Sequence, residues 1–202
     1  MIAIVDYGMG NLKNVQTAFS NIGVDSIITS SESDIDESDA ILLPGVGAFQ
    51  DAIKCLNESG LVPCLRRNVE DGKILMGICL GMQLLFDKSF EDGEWDGLGF
   101  LKGDVVRFEI DFKVPHMGWN NLIEKRQDPI GKSVGTGEFV YFVHSYYAVP
   151  KNPDDVVFSS EYGVEFPALV RRGNVIGAQF HPEKSGETGY KILKNLKEMI
   201  EA

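Results

Sequence analysis

The sequence has 202 residues, of which 44% are hydrophobic and 24% charged, proportions that exclude a disordered or fibrous chain. Nineteen basic against 30 acidic side chains give a net charge of -11, which disfavours binding to nucleic acid or an anionic membrane because both carry the same sign. The three cysteines and a first segment that reads as a core strand, not a leader, indicate a reduced cytoplasmic protein. No apolar run approaches the ~20 residues that cross a bilayer. We therefore expect one domain over residues 1–202 with no membrane segment.

The first half alternates short apolar runs with helical patterns, which predicts a parallel sheet covered by helices. Strands are predicted over residues 1–6, 26–29, 40–43 and 73–78, and helices over residues 12–22, 48–56, 61–70 and 81–86. The acidic stretch 30–38 is predicted to be a surface connection.

From about Glu91 the pattern changes to short strand-like runs separated by glycines and prolines, which indicates antiparallel structure. Strands are predicted over residues 105–108, 139–143, 156–159, 168–171 and 175–179, followed by a helix over 189–200. The predicted fold class is α/β, with a central mostly parallel sheet, flanking helices and an antiparallel, β-rich second half.

The strongest local motif is Gly77-Ile78-Cys79-Leu80-Gly81, between a buried strand and a helical segment. It has the form of a nucleophile elbow, a tight turn that lifts its central side chain above the sheet and needs small residues two positions away on either side. A cysteine at this position also lies at a helix N-terminus, which favours the thiolate. Cys79 is therefore the predicted nucleophile.

A thiol nucleophile needs a base and a group that orients the base. In an extended segment residues two apart point the same way, so Glu183 is expected to reach the imidazole of His181. This predicts a catalytic triad of Cys79, His181 and Glu183. His116 and His144 have no adjacent carboxylate and stay unassigned as catalysts, and no metal-ligand spacing is present.

Acyl chemistry also needs hydrogen-bond donors for a developing oxyanion. The N–H of Leu80, directly after the nucleophile, is one predicted donor, and Val46 or Gly47 at the end of a neighbouring strand is expected to supply the second. Gln83 lies one helical turn beyond Cys79 and is a candidate substrate contact. Gly8-Met9-Gly10 lacks the glycine pattern of a dinucleotide site and the lysine of a phosphate loop, so no cofactor is predicted.

With these motifs the chain resembles the class I, triad-type glutamine amidotransferases, which have a flavodoxin-like α/β fold. GICLGMQ at 77–83 and HPEKS at 181–185 are typical of the whole class. Further segments resemble the glutaminase subunit of imidazole glycerol phosphate synthase over essentially the whole chain: MIAIVDYGMGNLKNV at 1–15, LLPGVGAFQDA at 42–52, VPHMGWNNL at 114–122, YFVHSYY at 141–147 and QFHPEKSGETG at 179–189.

The resemblance implies that Cys79 attacks the side-chain amide of L-glutamine, that His181 moves the proton and that Glu183 orients His181. By the same resemblance the glutamine is held by Gly47, Gln83, His144, Ser145 and Tyr146, and the partner is met by Met117, Trp119 and Asn120. From the residues alone, Trp119 is as compatible with a core aromatic as with an interface anchor. The acidic stretch 87–97 is longer than the family pattern, and its role stays open.

The implied partner is a (βα)8-barrel cyclase that uses the ammonia to make imidazole glycerol phosphate and an aminoimidazole carboxamide ribonucleotide in histidine biosynthesis. The predicted domain uses up the chain, so no acceptor-binding domain remains and a heterodimer is expected. Three alternatives stay open: a paralogous subunit that supplies ammonia for amidation of a surface sugar, a free-standing cysteine hydrolase, and a non-enzymatic flavodoxin-like binding module.

Overall fold

The fold is built on an eight-stranded mixed sheet, and the computed structural model describes residues 1–202. The strands are β1 (Ile2–Val5), β2 (Ser26–Thr29), β3 (Ala40–Gly45), β4 (Ile74–Cys79), β5 (Lys88–Ser89), β6 (Trp95–Asp96), β7 (Gly103–Arg107), β8 (His116–Asn121), β9 (Ile123–Glu124), β10 (Phe139–His144), β11 (Tyr146–Pro150), β12 (Val156–Glu161), β13 (Glu165–Arg172) and β14 (Val175–Ala178). The helices are α1 (Leu12–Asn21), α2 (Glu32–Glu37), α3 (Phe49–Glu58), α4 (Val62–Glu70), α5 (Leu80–Leu84) and α6 (Gly186–Ile200). None of the helices is long and apolar enough to cross a membrane.

The main sheet has the strand order β2-β1-β3-β4-β14-β13-β12-β9. The first five of these strands run parallel, and β13, β12 and β9 extend the sheet in antiparallel pairs. This confirms the predicted α/β class with a mostly parallel centre and an antiparallel second half. Because β3 and β4 are neighbours, their carboxyl ends bring Gly45 beside Cys79.

Alternation along β1 shows how the sheet buries both of its faces. Ile2 and Ile4 belong to the core on the side of α1 and α6, whereas Ala3 and Val5 belong to the core on the side of α3 and α4. Strands buried on both faces are apolar throughout, as expected for a parallel sheet covered by helices.

Two smaller sheets, formed by strands between residues 88 and 150, pack beside the main one. Strands β11, β7, β5 and β6 form a four-stranded sheet, and β8 and β10 form an antiparallel pair of their own. We call this pair the β8–β10 ribbon; it consists of residues 116–121 and 139–144. Of its two strands only β10 is among the predicted elements.

Residues 30–38 lie mostly at the surface as predicted, but the prediction of a plain connection is wrong because this acidic stretch contains helix α2. The Ser31 hydroxyl accepts a hydrogen bond from the Asp34 N–H and so caps the helix, while acidic residues in the first turn favour the helix dipole. Ile35 is the single buried residue of α2. One apolar residue in six does not produce a visible period, so this helix is not apparent from hydrophobic spacing.

Candidate active site

Cys79 ends strand β4 and is the residue directly before helix α5. Its backbone has φ +54° and ψ -113°, a conformation that L residues rarely adopt. Strain of this kind persists only where the surrounding structure enforces it, and it is common at functional sites. The side chain is 8% exposed, at the edge of a pocket.

The two glycines of the motif are required by close packing of backbone against backbone. A Cβ atom on Gly77 would lie 2.5 Å from the Gly81 carbonyl oxygen, and a Cβ on Gly81 would overlap the Leu43 carbonyl oxygen. Neither neighbour is a side chain that can move aside. The turn therefore accepts no side chain at either position.

His181 and Glu183 are in contact, although by a route that differs from the predicted one. The His181 Nδ1–H donates to Glu183 Oε1 at 2.8 Å. The predicted extended segment is wrong, because Pro182–Lys184 is a turn of 3-10 helix, and this turn brings the carboxylate to the Nδ1 edge of the ring. His181 Nε2 and Glu183 Oε2 are buried without a hydrogen-bond partner, so Nε2 is free for the reacting group.

Burial and the two neighbouring groups, Cys79 and Glu183, have opposite effects on the pKa of His181. Burial of the ring lowers its pKa, but the interactions with Cys79 and Glu183 outweigh burial and raise the pKa of His181 to about 9. The imidazole is therefore protonated at neutral pH when these partners are charged.

A pocket of about 340 Å³ opens over Cys79, the lower end of the range for small-molecule sites. Its lining includes both Cys79 and His181, together with predicted oxyanion and substrate residues: Val46, Gly47, Leu80, Gln83, His144, Ser145 and Tyr146. Glu183 lies behind the imidazole and does not line the pocket.

Backbone amides beside the pocket are free to act as donors. Val46 and Gly47 lie outside the regular elements, and neither N–H donates a hydrogen bond in the structure. The preceding residues are fixed, since the buried Tyr7 hydroxyl donates to the Pro44 carbonyl at 2.8 Å. Unpaired N–H groups on a held loop are the kind of donor that stabilises an oxyanion.

The acidic stretch 87–97, whose role the sequence left open, places Glu91 on the pocket wall. Glu91 is the one acidic side chain of that wall, and its Oε2 accepts from the Phe49 N–H at the start of α3. Burial raises the pKa of the Glu91 carboxyl. Sequence reasoning did not find Glu91, and its only signal was that this stretch departs from the family pattern.

Gln179 is a further residue that sequence reasoning did not single out. It is fully buried, and its Nε2 lies 3.9 Å from the Cys79 sulfur. Its Oε1 accepts a hydrogen bond from Gln83 Nε2 at 3.0 Å. This hydrogen bond fixes the amide of Gln83, which lines the pocket.

The predicted partner-facing residues lie on strand β8. Met117 is 63% exposed and Trp119 is 56% exposed, so Trp119 is not a core aromatic. Asn120 is half-buried and donates to the Glu161 carbonyl at 2.8 Å. Phe139, at the start of β10 and opposite the end of β8, is also exposed. Several large apolar side chains on one small ribbon are typical of an interaction surface.

Comparison with known proteins shows the family to which this chain belongs. The family model for glutamine amidotransferase class-I matches residues 3–199. The chain is 51% identical over 200 residues to the imidazole glycerol phosphate synthase subunit HisH of Caldanaerobacter subterraneus subsp. tengcongensis, covering 99% of this chain and 98% of that one. It is 50% identical over 203 residues to the HisH subunit of Bacillus cereus, covering 100% and 96%.

Two solved structures show the same fold. A glutamine amidotransferase crystal structure superposes with a TM-score of 0.79 at 21% identity over the full length of both chains. The structure of PurLQS from Thermotoga maritima superposes with a TM-score of 0.79 at 23% identity, covering 98% of each chain. From the family model and the full-length relatives together, the chain belongs to the class-I glutamine amidotransferases and, within them, to the HisH subunits of imidazole glycerol phosphate synthase.

Proposed function

We propose that this chain hydrolyses L-glutamine to glutamate and ammonia as the glutaminase subunit of an imidazole glycerol phosphate synthase. The observation that carries the proposal is the strained Cys79 facing the same pocket as an imidazole that is held by a buried carboxylate. A nucleophile, a base and an orienting group in this order are the requirements of covalent acyl transfer. A non-enzymatic binding module would need none of them.

The proposed reaction has two half-steps. The Cys79 sulfur attacks the side-chain amide carbon of glutamine, and the carbonyl oxygen becomes an oxyanion that accepts hydrogen bonds from the N–H groups of Leu80 and of Val46 or Gly47. Protonated His181 gives its Nε2 proton to the departing nitrogen, so ammonia leaves and a thioester remains. Water then attacks the thioester while His181 takes a proton from it, and His181 passes that proton to the departing sulfur, so that glutamate and the free thiol are released.

We propose that Glu91 selects for an amino acid. Glutamine carries an α-ammonium group, and Glu91 is the only carboxylate on the pocket wall. Glu91 is half-buried, and a carboxylate that has lost part of its hydration is stabilised by a cation placed beside it. The segment Ser145–Tyr146, Gly47 and Gln83 would complete the site, as the family resemblance implies. Both ring nitrogens of His144 are already hydrogen-bonded within the protein, so its contribution to binding would come from its backbone.

We propose a (βα)8-barrel cyclase as the partner that consumes the ammonia in histidine biosynthesis. Ammonia is mostly protonated in neutral water and is then not nucleophilic, so a docked acceptor and a sheltered path are needed. The exposed apolar side chains Met117, Trp119 and Phe139 fit a protein interface. The names of the full-length relatives favour this acceptor over a surface sugar. A cytoplasmic location belongs to the same proposal and agrees with three free cysteines.

The proposal is tested by measuring glutamate release from glutamine by the purified chain, alone and with a purified barrel cyclase and its nucleotide ligand. We expect activity that rises on addition of the cyclase and is lost in Cys79→Ala, while Cys55→Ala, the matched control, stays active because Cys55 lies in α3 away from the pocket wall. Hydrolysis by Cys79→Ala would refute the triad. Equal rates with and without the cyclase would favour a free-standing hydrolase.

A further inference from the structure

Two buried histidines that the proposed reaction does not use form a hydrogen-bonded pair. His116 and His144 lie opposite each other on β8 and β10, and His116 Nδ1 is 3.0 Å from His144 Nε2. His144 Nδ1 is 2.8 Å from the Tyr146 carbonyl, which can only accept, so Nδ1 carries the proton. His144 Nε2 must then accept from His116 Nδ1–H. Burial lowers the pKa of His116 to about 4 and that of His144 to about 3, so both rings stay neutral and the directions persist at physiological pH.

The series of hydrogen bonds continues from His116 to Asn120 on the partly exposed strand β8. With its proton on Nδ1, His116 accepts at Nε2, and Asn120 Nδ2 lies 3.3 Å from that atom. The same amide nitrogen donates to the Glu161 carbonyl, and Asn120 Oδ1 accepts from the Asn121 N–H at 2.9 Å. These two backbone partners fix the orientation of the Asn120 amide. Its nitrogen therefore faces His116, and Asn120 is the donor in their hydrogen bond.

The series of hydrogen bonds also continues from His144 toward Cys79. The Tyr146 carbonyl accepts a second hydrogen bond, from Gln83 Nε2 at 2.9 Å. The other proton of that nitrogen goes to Gln179 Oε1, which turns Gln179 Nε2 toward the sulfur of Cys79. Each hydrogen bond between Asn120 and Cys79 therefore has one allowed donor, and the Tyr146 carbonyl accepts from both His144 and Gln83. The side chains of the four residues that link Asn120 to Cys79 through this carbonyl, His116, His144, Gln83 and Gln179, are at most 6% exposed.

The β8–β10 ribbon, which carries the outer half of this network, forms a sheet of its own. It pairs with no other strand, yet it contacts both halves of the proposed catalytic pair. The Tyr141 carbonyl accepts from the His181 N–H at 3.0 Å, and the Val143 carbonyl lies 3.8 Å from the Cys79 sulfur. Trp119 lies directly opposite Tyr141 in the ribbon and is exposed.

From these contacts we infer that His116 and Gln179 are positioning residues of one network, which holds Cys79 in its reactive position and joins it to the partner-facing surface of β8. The inference rests on the proposed glutaminase activity and deepens it, because the network ends on the proposed nucleophile. The energetic coupling between His116 and Gln179 is the quantity that the experiment measures.

The first test is a double-mutant cycle on the complete chain in the presence of the cyclase and its ligand. His116→Phe keeps a ring of similar shape without nitrogens, and Gln179→Met keeps the length of the side chain without its amide. We expect kcat to fall ~10-fold in each single variant and by no more than ~20-fold in the double variant, because the second change removes a network that is already broken. Losses that multiply to ~100-fold, or single variants with unchanged kcat, would overturn the inference.

A matched control separates positioning from stability. Asn195 is buried like His116 and donates to the Ile130 and Lys132 carbonyls, outside the pocket wall. Asn195→Ala should lower the urea midpoint and leave kcat within about twofold. If it lowers kcat as much as His116→Phe, the losses reflect general destabilisation and the inference is wrong.

The second test is spectroscopic and does not depend on activity. We expect ¹⁵N spectra of the wild-type chain at pH 7 to show both His116 and His144 neutral with the proton on Nδ1. In His116→Asn the side-chain amide replaces the Nδ1 donor, so the His144 signals and most of kcat should be kept, whereas His116→Phe should shift His144 Nε2. A proton on His144 Nε2 in the wild type would overturn the inference even if no variant folds. A wild type that never hydrolyses glutamine would instead refute the proposed function.

Discussion

Two buried neutral histidines should make this fold sensitive to mild acid. The pKa of His116 is about 4 and that of His144 about 3 in the folded chain, against ~6.5 for histidine in an unfolded one. Below pH 6.5 the unfolded state therefore takes up two protons that the folded state refuses, and stability falls as the pH falls toward about 4. By linkage each of these two histidines lowers the free energy of unfolding by ~2 kcal/mol between pH 7 and pH 5.

His181 works in the opposite direction and has to be counted. Its pKa is raised to about 9 in the folded chain, so its contribution is fully present below about pH 6.5 and is lost as the pH rises toward 9. Between pH 7 and pH 5 His181 raises the free energy of unfolding by ~1 kcal/mol. The net loss of ~3 kcal/mol is a substantial part of the 5–15 kcal/mol that stabilises a typical domain.

The assay is urea unfolding followed by tryptophan fluorescence and far-ultraviolet circular dichroism at pH 7, 6 and 5. We expect the free energy of unfolding to fall by ~3 kcal/mol from pH 7 to pH 5 in the wild type, and by ~1 kcal/mol in His116→Phe, which has one fewer titrating group. Each variant is compared with itself at two pH values, so a general loss of stability does not interfere. A wild-type stability that is flat over this interval, or an equal drop in both chains, would refute the reasoning.

Three further substitutions test the site. Gly81→Ala should abolish activity and lower Tm sharply because its Cβ would overlap the Leu43 carbonyl, whereas Gly135→Ala, with nothing within 4 Å of the new Cβ, should shift Tm by less than ~2 °C; equal shifts would contradict the packing argument. Glu91→Gln should raise KM for glutamine ~10-fold or more with a smaller change in kcat, since it removes a charge that binds substrate in the ground state; an unchanged KM in steady-state assays would exclude Glu91 from substrate binding. Trp119→Ala should weaken association with the cyclase by at least ~10-fold in calorimetry without lowering Tm, because 56% of the side chain is exposed; unchanged affinity would remove Trp119 from the interface.

The sequence predicts well those features that depend only on residues close together along the chain. The elbow occupies five consecutive residues, and its glycines and strand-to-helix context are legible without any distant contact. His181 and Glu183 are two residues apart, so their contact is predictable even though the turn that makes it is not the extended segment expected. The parallel strands are found for the same reason, because each is a short apolar run between turns.

What the sequence does not predict depends on contacts between distant segments. Glu91 reaches the pocket only because its loop folds back to the start of α3, 42 residues earlier. The pairing of His116 with His144 needs the register of two strands that no motif encodes. Gln179 has no chemical signature of its own, since a glutamine near a nucleophile is recognised by where its amide points. Side-chain networks of this kind are settled by tertiary packing, not by local propensity.

The close approach of β3 to the elbow has a consequence for how the site tolerates motion. A Cβ on Gly45 would lie 2.7 Å from the Gly81 nitrogen, so the two backbones touch with no side chain between them. Because no side chain lies between the two backbones, Gly45 cannot move closer to the turn at Cys79 without a clash, and the loop of Val46 and Gly47 therefore starts from a fixed point beside the nucleophile. The starting point of the donor loop is therefore set by the same backbone packing that holds the nucleophile turn, independently of any bound substrate.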